Sequence, residues 1–197
     1  MDWRPVVDFL FPAQCAGCGL LGSGLCDACA KGRPEKVFIK GLSISAYGAY
    51  EGVLRSAILA LKDGRRDVAE ALGARVAPTI DAAAILVPVP TSKKRLRVRG
   101  IDGVALVARG AAASCGCRVL EVLTQRAGDA QRGRTGEQRR AARGRFACDE
   151  SVRGKSVTLI DDVCTTGATL LDCARAIRAA GGEVARAVVV ALTKSAP

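Results

Sequence analysis

A strand-like run that ends in two acids and passes through a glycine-containing turn into a helix constrains the fold of this chain most strongly. The run, VTLIDDVCTTGAT, covers residues 157–169. Apolar and β-branched residues dominate its first part, and residues 168–180 continue with helical spacing up to Gly181 and Gly182. A strand that leads directly into a helix is the repeating unit of a parallel sheet with helices on its faces. The run therefore predicts an α/β fold.

The other apolar segments fit the same architecture. Strands are predicted over residues 37–50 (one or two strands), 85–89, 118–123, 156–161 and 186–192, and helices over residues 51–61, 67–77, 104–113 and 168–180. A basic loop is predicted over residues 92–100, and an exposed, mobile segment over the Arg- and Gly-rich residues 125–145. A charged linker over residues 30–36 separates an N-terminal segment, residues 1–35, from an α/β domain, residues 36–197.

The turn after the strand has the residue types of an anion site. Ligands bind open α/β sheets at the carboxyl ends of the strands, and residues 165–169 would offer backbone N–H groups and Thr hydroxyls at a helix N-terminus. Asp161 and Asp162 would repel a phosphate, but they suit neutral hydroxyls or a bound cation. The combination indicates a sugar phosphate, with or without Mg²⁺. The alternative is a plain strand–turn–helix with polar turn residues.

A nucleotide-binding P-loop is not supported. The nearest candidate, Gly154-Lys155-Ser156, has Asp149 in place of the upstream glycine, and it precedes a strand rather than a helix.

Four of the nine cysteines form two CxxC units separated by seven residues. Two such turns supply four sulfurs, the closed tetrahedral shell of a structural zinc ion. The predicted ligands are Cys15, Cys18, Cys26 and Cys29. A redox dithiol or unrelated thiols are the alternatives. The other five cysteines show no ligand spacing and are interpreted as small buried residues: Cys115, Cys117, Cys148, Cys164 and Cys173.

Composition excludes several function classes. The chain has no histidine, so Ser-His and Cys-His catalysis and His-ligated metals are excluded. The net charge of +11 favours anionic partners such as nucleic acid, phosphorylated metabolites or acidic lipid, although it is also compatible with a merely solvated basic surface. No apolar run is long enough for membrane insertion. The N-terminus does not resemble a secretory signal, so we expect a cytoplasmic protein.

The run at residues 157–169 resembles the signature of the type I phosphoribosyltransferases, which bind 5-phosphoribosyl-1-diphosphate (PRPP). The whole layout resembles their ComF subfamily: a cysteine knuckle, YEGVLR at residues 50–55, Lys62, VPVP at residues 87–90, Arg99-Gly100 and the Asp–Asp loop. The resemblance covers nearly the whole chain. It implies a type I phosphoribosyltransferase-like parallel sheet flanked by helices, preceded by a small zinc knuckle with four cysteine ligands.

The resemblance also implies a role for each matching residue. Asp161 and Asp162 would be the catalytic acids that hold the ribose 2′- and 3′-hydroxyls. The 5′-phosphate would be wrapped by Thr165, Thr166, Gly167, Ala168 and Thr169. The loop after VPVP stands where the family has its pyrophosphate loop and would contribute Thr91, Ser92, Lys93, Lys94 and Arg99, with Arg95 and Arg97 extending its charge. A solvated basic loop is the alternative for this segment.

The chain departs from the family at two places. The Asn-Gln pair that usually follows Arg-Gly after one residue is replaced by Asp102 and Gly103. The Arg-rich residues 125–145 stand where the family has a mobile catalytic lid, and they keep its pattern only loosely.

The implied activity is the transfer of a phosphoribosyl group from PRPP, with Mg²⁺, to a nitrogen nucleophile, in nucleotide metabolism or in DNA uptake and competence. A different class of function is a non-catalytic, PRPP-sensing adaptor that binds DNA-processing proteins. Direct binding of single-stranded DNA is less favoured, because only 4% of the residues are aromatic and could stack on bases. A structural α/β protein with a decayed site is the third alternative. No motif identifies the acceptor or the oligomeric state.

Overall fold

The computed structural model describes residues 12–126 and 144–194. The fold begins, after the cysteine segment, with a hairpin of strands β1 (Glu35–Ile39) and β2 (Leu42–Ala49). Helices α1 (Gly52–Lys62) and α2 (Arg66–Val76), strand β3 (Ile85–Pro88), and helices α3 (Lys93–Arg99) and α4 (Gly103–Cys115) follow. The rest comprises the short strands β4 (Arg118–Val119), β5 (Leu123–Gln125) and β6 (Phe146–Cys148), then β7 (Ser156–Cys164), α5 (Ala168–Ala179) and β8 (Glu183–Leu192).

The main sheet has the strand order β1-β2-β8-β7-β3-β4, and all its pairings except β1–β2 are parallel. Buried apolar residues of α5, such as Leu170 and Ile177, cover one face, and those of α1, α2 and α4 cover the other. Strands β5 and β6 form a separate antiparallel pair. The predicted α/β class, with a mostly parallel sheet flanked by helices, is confirmed. Within the described residues, no helix is both long enough and apolar enough to span a bilayer.

Glycines allow α2 and α4 to approach each other closely. A Cβ on Gly73 would lie 2.5 Å from the carbonyl oxygen of Val107, and a Cβ on Gly110 would lie 3.1 Å from the Cα of Glu70. Side chains at these positions would push the two helices apart. The two helices pack together in this way against the face of the sheet that includes Leu86 of β3 and Ile160 of β7.

Several boundaries differ from the sequence predictions. Residues 93–99 form a helix instead of a loop, because the Ser92 hydroxyl caps it by accepting from the Arg95 N–H (3.3 Å) and Gly100 ends it with φ of 70°. The predicted strand over residues 118–123 is two short strands in different sheets. Strand β7 continues past residue 161 because its pairing with β8 continues to Cys164 and Leu192. The predicted linker ends in β1, and residues 127–143 of the predicted mobile segment lie outside the described residues.

Candidate functional site

The parallel strands β2, β3, β7 and β8 have their carboxyl ends along one side of the sheet, the edge. Asp161 and Asp162 lie in the last part of β7, and the predicted phosphate-binding residues lie on the segments that follow β3 and β7. Register places Ala49, Leu192 and Cys164 in one row across β2, β8 and β7. The Val89 N–H donates to the Ile160 carbonyl (2.9 Å), which brings the segment after β3 beside the two aspartates. The edge is therefore the meeting point that the fold class predicts for a ligand.

Asp161 is a buried carboxyl group, with 8% of its surface exposed. Burial and the neighbouring charge of Asp162 raise its pKa well above the usual range. Its Oδ1 accepts from the Asp162 N–H (2.8 Å), so the two acids are linked through the backbone. A buried carboxyl group without a full charge partner is costly for folding and marks a candidate functional group.

Asp162 is only half-buried and has a cationic neighbour. Its Oδ2 lies 3.4 Å from the Nζ of Lys62, the last residue of α1. The same ammonium group lies 5.9 Å from the centre of the Tyr50 ring, over its face. Lys62 and Tyr50 both belong to the sequence layout that resembles the ComF subfamily, but no sequence signal links Lys62 to Asp162. The structure adds Lys62 and Tyr50 to the edge.

The turn between β7 and α5 has a backbone that favours glycine. Gly167 has φ of 73°, and the Ile39 side chain lies 2.8 Å from where its Cβ would be. Thr165 and Thr166 are exposed, and the Thr166 hydroxyl accepts from the Ala168 N–H (3.4 Å). The helix begins at Ala168, so N–H groups and hydroxyls lie together beside the two aspartates. Such a turn can hold a phosphate.

Asp102 holds the segment after β3 through hydrogen bonds. It stands where the type I phosphoribosyltransferase pattern has the Asn of an Asn-Gln pair. The Thr91 N–H and hydroxyl donate to the two Asp102 carboxylate oxygens (3.2 and 3.1 Å). Asp102 also caps α4 by accepting from the Ala105 N–H (3.1 Å). The substitution thus has a structural role here.

Helix α3 carries the basic residues that follow. Its backbone includes Lys93, Lys94 and Arg99, and Ser92 is its N-cap. The Arg99 carbonyl oxygen lies 3.2 Å from where a Cβ on Gly64 would be, just beyond Lys62. The end of α3 is therefore near the edge.

A second cluster, on α5 below the turn, was not predicted. The buried carboxylate of Asp172 accepts from the Arg145 N–H (2.9 Å) and Nε (3.0 Å), and it also pairs with Arg175. Burial tends to raise the pKa of Asp172, but the Arg145 N–H and the two guanidinium groups outweigh it, so the pKa is lowered. No sequence signal links Asp172 to Arg145, whereas Asp172 and Arg175 stand three residues apart on a predicted helix.

The four predicted metal ligands come together in a cysteine cluster, formed by Cys15, Cys18, Cys26 and Cys29, whose sulfur atoms all lie within 4.8 Å of one another. The Cys18 and Cys26 sulfurs are 3.7 Å apart. Four sulfurs at zinc-bond length from one ion would be about 3.8 Å apart, so the cluster has the size of a tetrahedral zinc site.

Backbone N–H groups favour a thiolate in this cluster. Gly17 and Cys26 each donate to the Cys15 sulfur at 3.4 Å. Burial tends to raise the pKa of Cys15, but these N–H groups and that of Cys18 lower it to about 6. Hydrogen bonds with the Cys18 and Cys26 side chains raise the pKa of Cys29 to about 12. The surroundings thus favour a thiolate at Cys15 and a neutral thiol at Cys29. A bound cation would allow all four sulfurs to be thiolates.

The cysteine cluster is packed onto the main fold. Leu25, 1% exposed, joins the core layer of α1, α2 and α4. Gly24 lies against the backbone of α2, where a Cβ would be 2.4 Å from the Asp67 carbonyl. Arg75 of α2 pairs with Asp27 and donates to the Leu25 carbonyl (3.4 Å). A cleft of about 530 Å³ is lined by residues of this segment, β2 and the start of α1, including Glu51.

The remaining cysteines are partly in the core. Cys117, Cys164 and Cys173 are buried, as predicted for small core residues. Cys115 and Cys148 are half-buried.

Known proteins and one protein family match parts of this chain. A family model described as "Phosphoribosyl transferase domain" matches residues 102–197. Orotate phosphoribosyltransferase from Methanopyrus kandleri is 59% identical over 39 residues, which are 20% of this chain and 21% of the relative. Orotate phosphoribosyltransferase from Pyrobaculum aerophilum is 55% identical over 38 residues, 19% and 20% of the two chains. The chain thus spans about a fifth of the length of the curated relatives it matches.

Two solved structures are also similar. The allosteric regulatory enzyme of purine biosynthesis has a TM-score of 0.47 and 22% identity, covering 62% of this chain and 26% of its own. Adenine phosphoribosyltransferase from Leishmania tarentolae has a TM-score of 0.35 and 18% identity, covering 70% of each chain. The family match is the more informative finding, because residues 102–197 include both aspartates, the glycine turn and α5. This half of the chain is similar to a phosphoribosyl transferase domain.

Proposed function

We propose that this protein binds PRPP together with Mg²⁺ at the edge of the sheet. The observation that carries the proposal is the direct succession of the buried Asp161 and the half-buried Asp162, a glycine turn and a helix N-terminus, all within the residues that match the phosphoribosyl transferase domain. A pentose phosphate needs both acceptors for its hydroxyls and donors for its phosphate. The succession offers both within a few residues.

Asp161 and Asp162 hold the ribose 2′- and 3′-hydroxyls. The raised pKa of Asp161 favours its neutral form, which both donates and accepts a hydrogen bond. Asp162 reaches solvent and accepts from a hydroxyl. The Asp162 carboxylate beside the ring also favours the positive charge that develops on the sugar when its bond to pyrophosphate breaks.

The phosphate groups lie on either side of this acidic pair. The 5′-phosphate lies in the turn of Thr165, Thr166, Gly167, Ala168 and Thr169 and accepts from its hydroxyls and backbone N–H groups, with the Ala168 N–H exchanging the Thr166 hydroxyl for a phosphate oxygen. The pyrophosphate lies towards the segment after β3, with Thr91, Ser92, Lys93, Lys94 and Arg99. Positive charge there stabilises the leaving group.

The donor set fits the implied metal, because Mg²⁺ prefers carboxylate and phosphate oxygens. When bound, Mg²⁺ supplies positive charge to the departing pyrophosphate. In the proposed transfer, the C1–oxygen bond breaks and pyrophosphate leaves with the electron pair. A nitrogen lone pair forms the new bond to C1, and the proton of that nitrogen passes to solvent.

Titration calorimetry with PRPP and Mg²⁺ tests the binding site. We expect binding by the intact protein and at least a hundredfold loss in the double variant Asp161→Asn, Asp162→Asn, because the ribose contacts and the acidic pair are lost together. The matched control is the double variant Asp149→Asn, Glu150→Gln, which changes two consecutive, exposed acids outside the proposed site. This variant should bind PRPP as the intact protein does. Equal heat from the double variant, or none from the intact protein, refutes the site.

Turnover needs its own measurement. Pyrophosphate release from PRPP across a panel of nitrogen bases identifies an acceptor. Binding without release for any acceptor favours a PRPP-sensing protein over an enzyme.

One surface favours a second candidate, the non-catalytic adaptor that the resemblance to the ComF subfamily associates with DNA uptake and competence. Helix α3 exposes Lys93, Arg95 and Arg97, and Val98 beside them is 82% exposed. Exposed cations with apolar neighbours suit a DNA-processing protein or single-stranded DNA. A gel-shift series over salt distinguishes them, because direct phosphate contact makes affinity fall steeply with ionic strength. A shift that does not depend on salt contradicts direct DNA binding.

We also propose that the cysteine cluster holds a structural zinc ion. Four cysteine ligands leave no open coordination position, so the metal has no catalytic role. Elemental analysis should find one zinc per chain. A metal-free protein whose four thiols form disulfides contradicts this assignment.

A further inference from the structure

Arg145 is held against α5 by a buried acid. Asp172, 7% exposed, accepts from both the backbone N–H and the Nε of Arg145, at 2.9 and 3.0 Å. The preceding Gly144 has φ of 72°, and a Cβ there would lie 2.6 Å from the Asp172 Oδ1. The backbone and side chain of residue 145 are therefore fixed to the same carboxylate.

Two further contacts fix the guanidinium group. Its central carbon lies 5.6 Å from the centre of the Phe146 ring. Its Nη2 lies 3.4 Å from the hydroxyl oxygen of Thr169, in the first turn of α5. The Arg145 side chain is still 54% exposed, so burial alone does not explain why it is held by three groups.

The contact with Thr169 determines where the threonine proton can point. A hydroxyl has one donor and two acceptor positions, and a guanidinium can only donate. When Arg145 donates to the Thr169 oxygen, the hydroxyl proton is directed away from the guanidinium. It then remains available to another acceptor.

We propose that Arg145 is a positioning residue that orients the Thr169 hydroxyl towards a sugar 5′-phosphate, with Asp172 as its anchor. The inference rests on the proposed function, because it deepens the account of the same phosphate turn. Arg145 acts through Thr169 and polarises its hydroxyl by donating a charge-assisted hydrogen bond. Asp172 keeps the guanidinium in place before any ligand arrives, so less side-chain freedom is lost on binding.

A double-mutant cycle tests whether Arg145 acts through Thr169. The variants are Arg145→Gln, Thr169→Val and the two combined, and the probe is ribose 5-phosphate measured by calorimetry. We expect Arg145→Gln to weaken binding about tenfold in the intact background and less than about twofold in the Thr169→Val background. Binding of Mg²⁺-pyrophosphate, which lacks the 5′-phosphate, should be unchanged in all three.

Arg109→Gln is the matched control, because it removes one arginine from an exposed ion pair with Glu121 and changes the net charge equally. Thermal unfolding of each variant checks that the fold is intact. Additive losses in the cycle, a parallel loss of pyrophosphate binding, or an equal loss in Arg109→Gln overturns the positioning role. If the intact protein binds neither PRPP nor ribose 5-phosphate, the proposed function fails, and this inference fails with it.

Discussion

The cysteine cluster and the edge of the sheet place their functional groups in opposite ways. The cluster takes all its ligands from residues 15–29, a segment of turns without a helix or long strand. The edge combines the end of β7, the turn before α5, the last residue of α1 and the segment after β3. A site built by turns within one short segment depends on what it binds for its shape. A site built by a sheet is shaped before a ligand arrives.

The two regions also differ in which groups stabilise the negative charge of their acids and thiolates. At the edge, Lys62 is an internal cation for Asp162. In the cluster, the compensation at Cys15 comes from backbone N–H groups, whereas the nearby Arg75 pairs with Asp27. We infer that the cluster depends on a metal for stability more than the edge depends on PRPP.

Breaking the cluster should give the largest change in stability. Cys15→Ser removes the most buried ligand, so we expect zinc content to fall from one per chain to near zero and the free energy of unfolding to fall by about 4 kcal/mol. Elemental analysis and urea denaturation measure the two quantities. Affinity for ribose 5-phosphate should stay within about twofold, because that site is built by the sheet.

Cys115→Ser is the control for this change, as a half-buried thiol outside the cluster. It should keep its zinc and lose at most about 1 kcal/mol. If Cys15→Ser abolishes ligand binding without unfolding the chain, the two regions are coupled and the comparison is wrong.

The same contrast explains what the sequence could predict. The four cysteines, the two aspartates and the turn residues are each contiguous or nearly so, so any fold that keeps the local turns brings them together. Lys62 and Asp162 are far apart in the sequence, and so are Arg145 and Asp172; only the packing of α1 and α5 makes them neighbours. A single sequence contains no local signal for such pairs.

Helix α3 shows an error of a different kind. Its end signals are readable in the sequence, since Ser92 can cap the first turn and Gly100 can adopt a positive φ. The loop prediction rests on the basic composition of the segment and does not use these caps. Strand β7 shows the effect of tertiary structure instead, because pairing with β8 extends it through Asp162 to Cys164. Local signals therefore give the elements, and neighbouring strands decide where they end.

A substitution with a smaller expected loss of stability tests whether zinc binding depends on the packing of the cysteine segment against α2. Gly24→Ala places a Cβ 2.4 Å from the Asp67 carbonyl group and 2.5 Å from the Val68 nitrogen, so the segment must move away from α2. We expect a loss of about 2 kcal/mol in the free energy of unfolding, with one zinc per chain retained. Ala28→Ser, an exposed position in the same segment, is the control and should change neither quantity. Loss of zinc in Gly24→Ala would mean that the cluster needs the main fold for its shape.

The smallest change in the free energy of unfolding is expected at the edge, where a substitution should increase stability instead of lowering it. The pKa of Asp161 is raised in the folded protein by burial and by Asp162. A group whose folded pKa lies above its unfolded value contributes stability that is fully present below the unfolded pKa and is lost as pH rises through the folded pKa. The intact protein should therefore lose stability as pH rises, in the absence of PRPP and Mg²⁺.

Asp161→Asn removes this dependence, because an amide has no charge to bury and its oxygen can still accept from the Asp162 N–H. We expect a gain of about 1 kcal/mol near neutral pH, or about 2–4 °C in the unfolding temperature, together with loss of PRPP binding. Unfolding temperatures from about pH 5 to about pH 8 measure the effect, and the gap between variant and parent should widen with pH. Asp162→Asn is the comparison variant: it removes a charge that raises the Asp161 pKa but also the pairing with Lys62, so its gain should be smaller than that of Asp161→Asn. If Asp161→Asn is less stable than its parent at every pH, Asp161 stabilises the edge. The description of Asp161 as a ligand-binding group that lowers the stability of the fold would then be wrong.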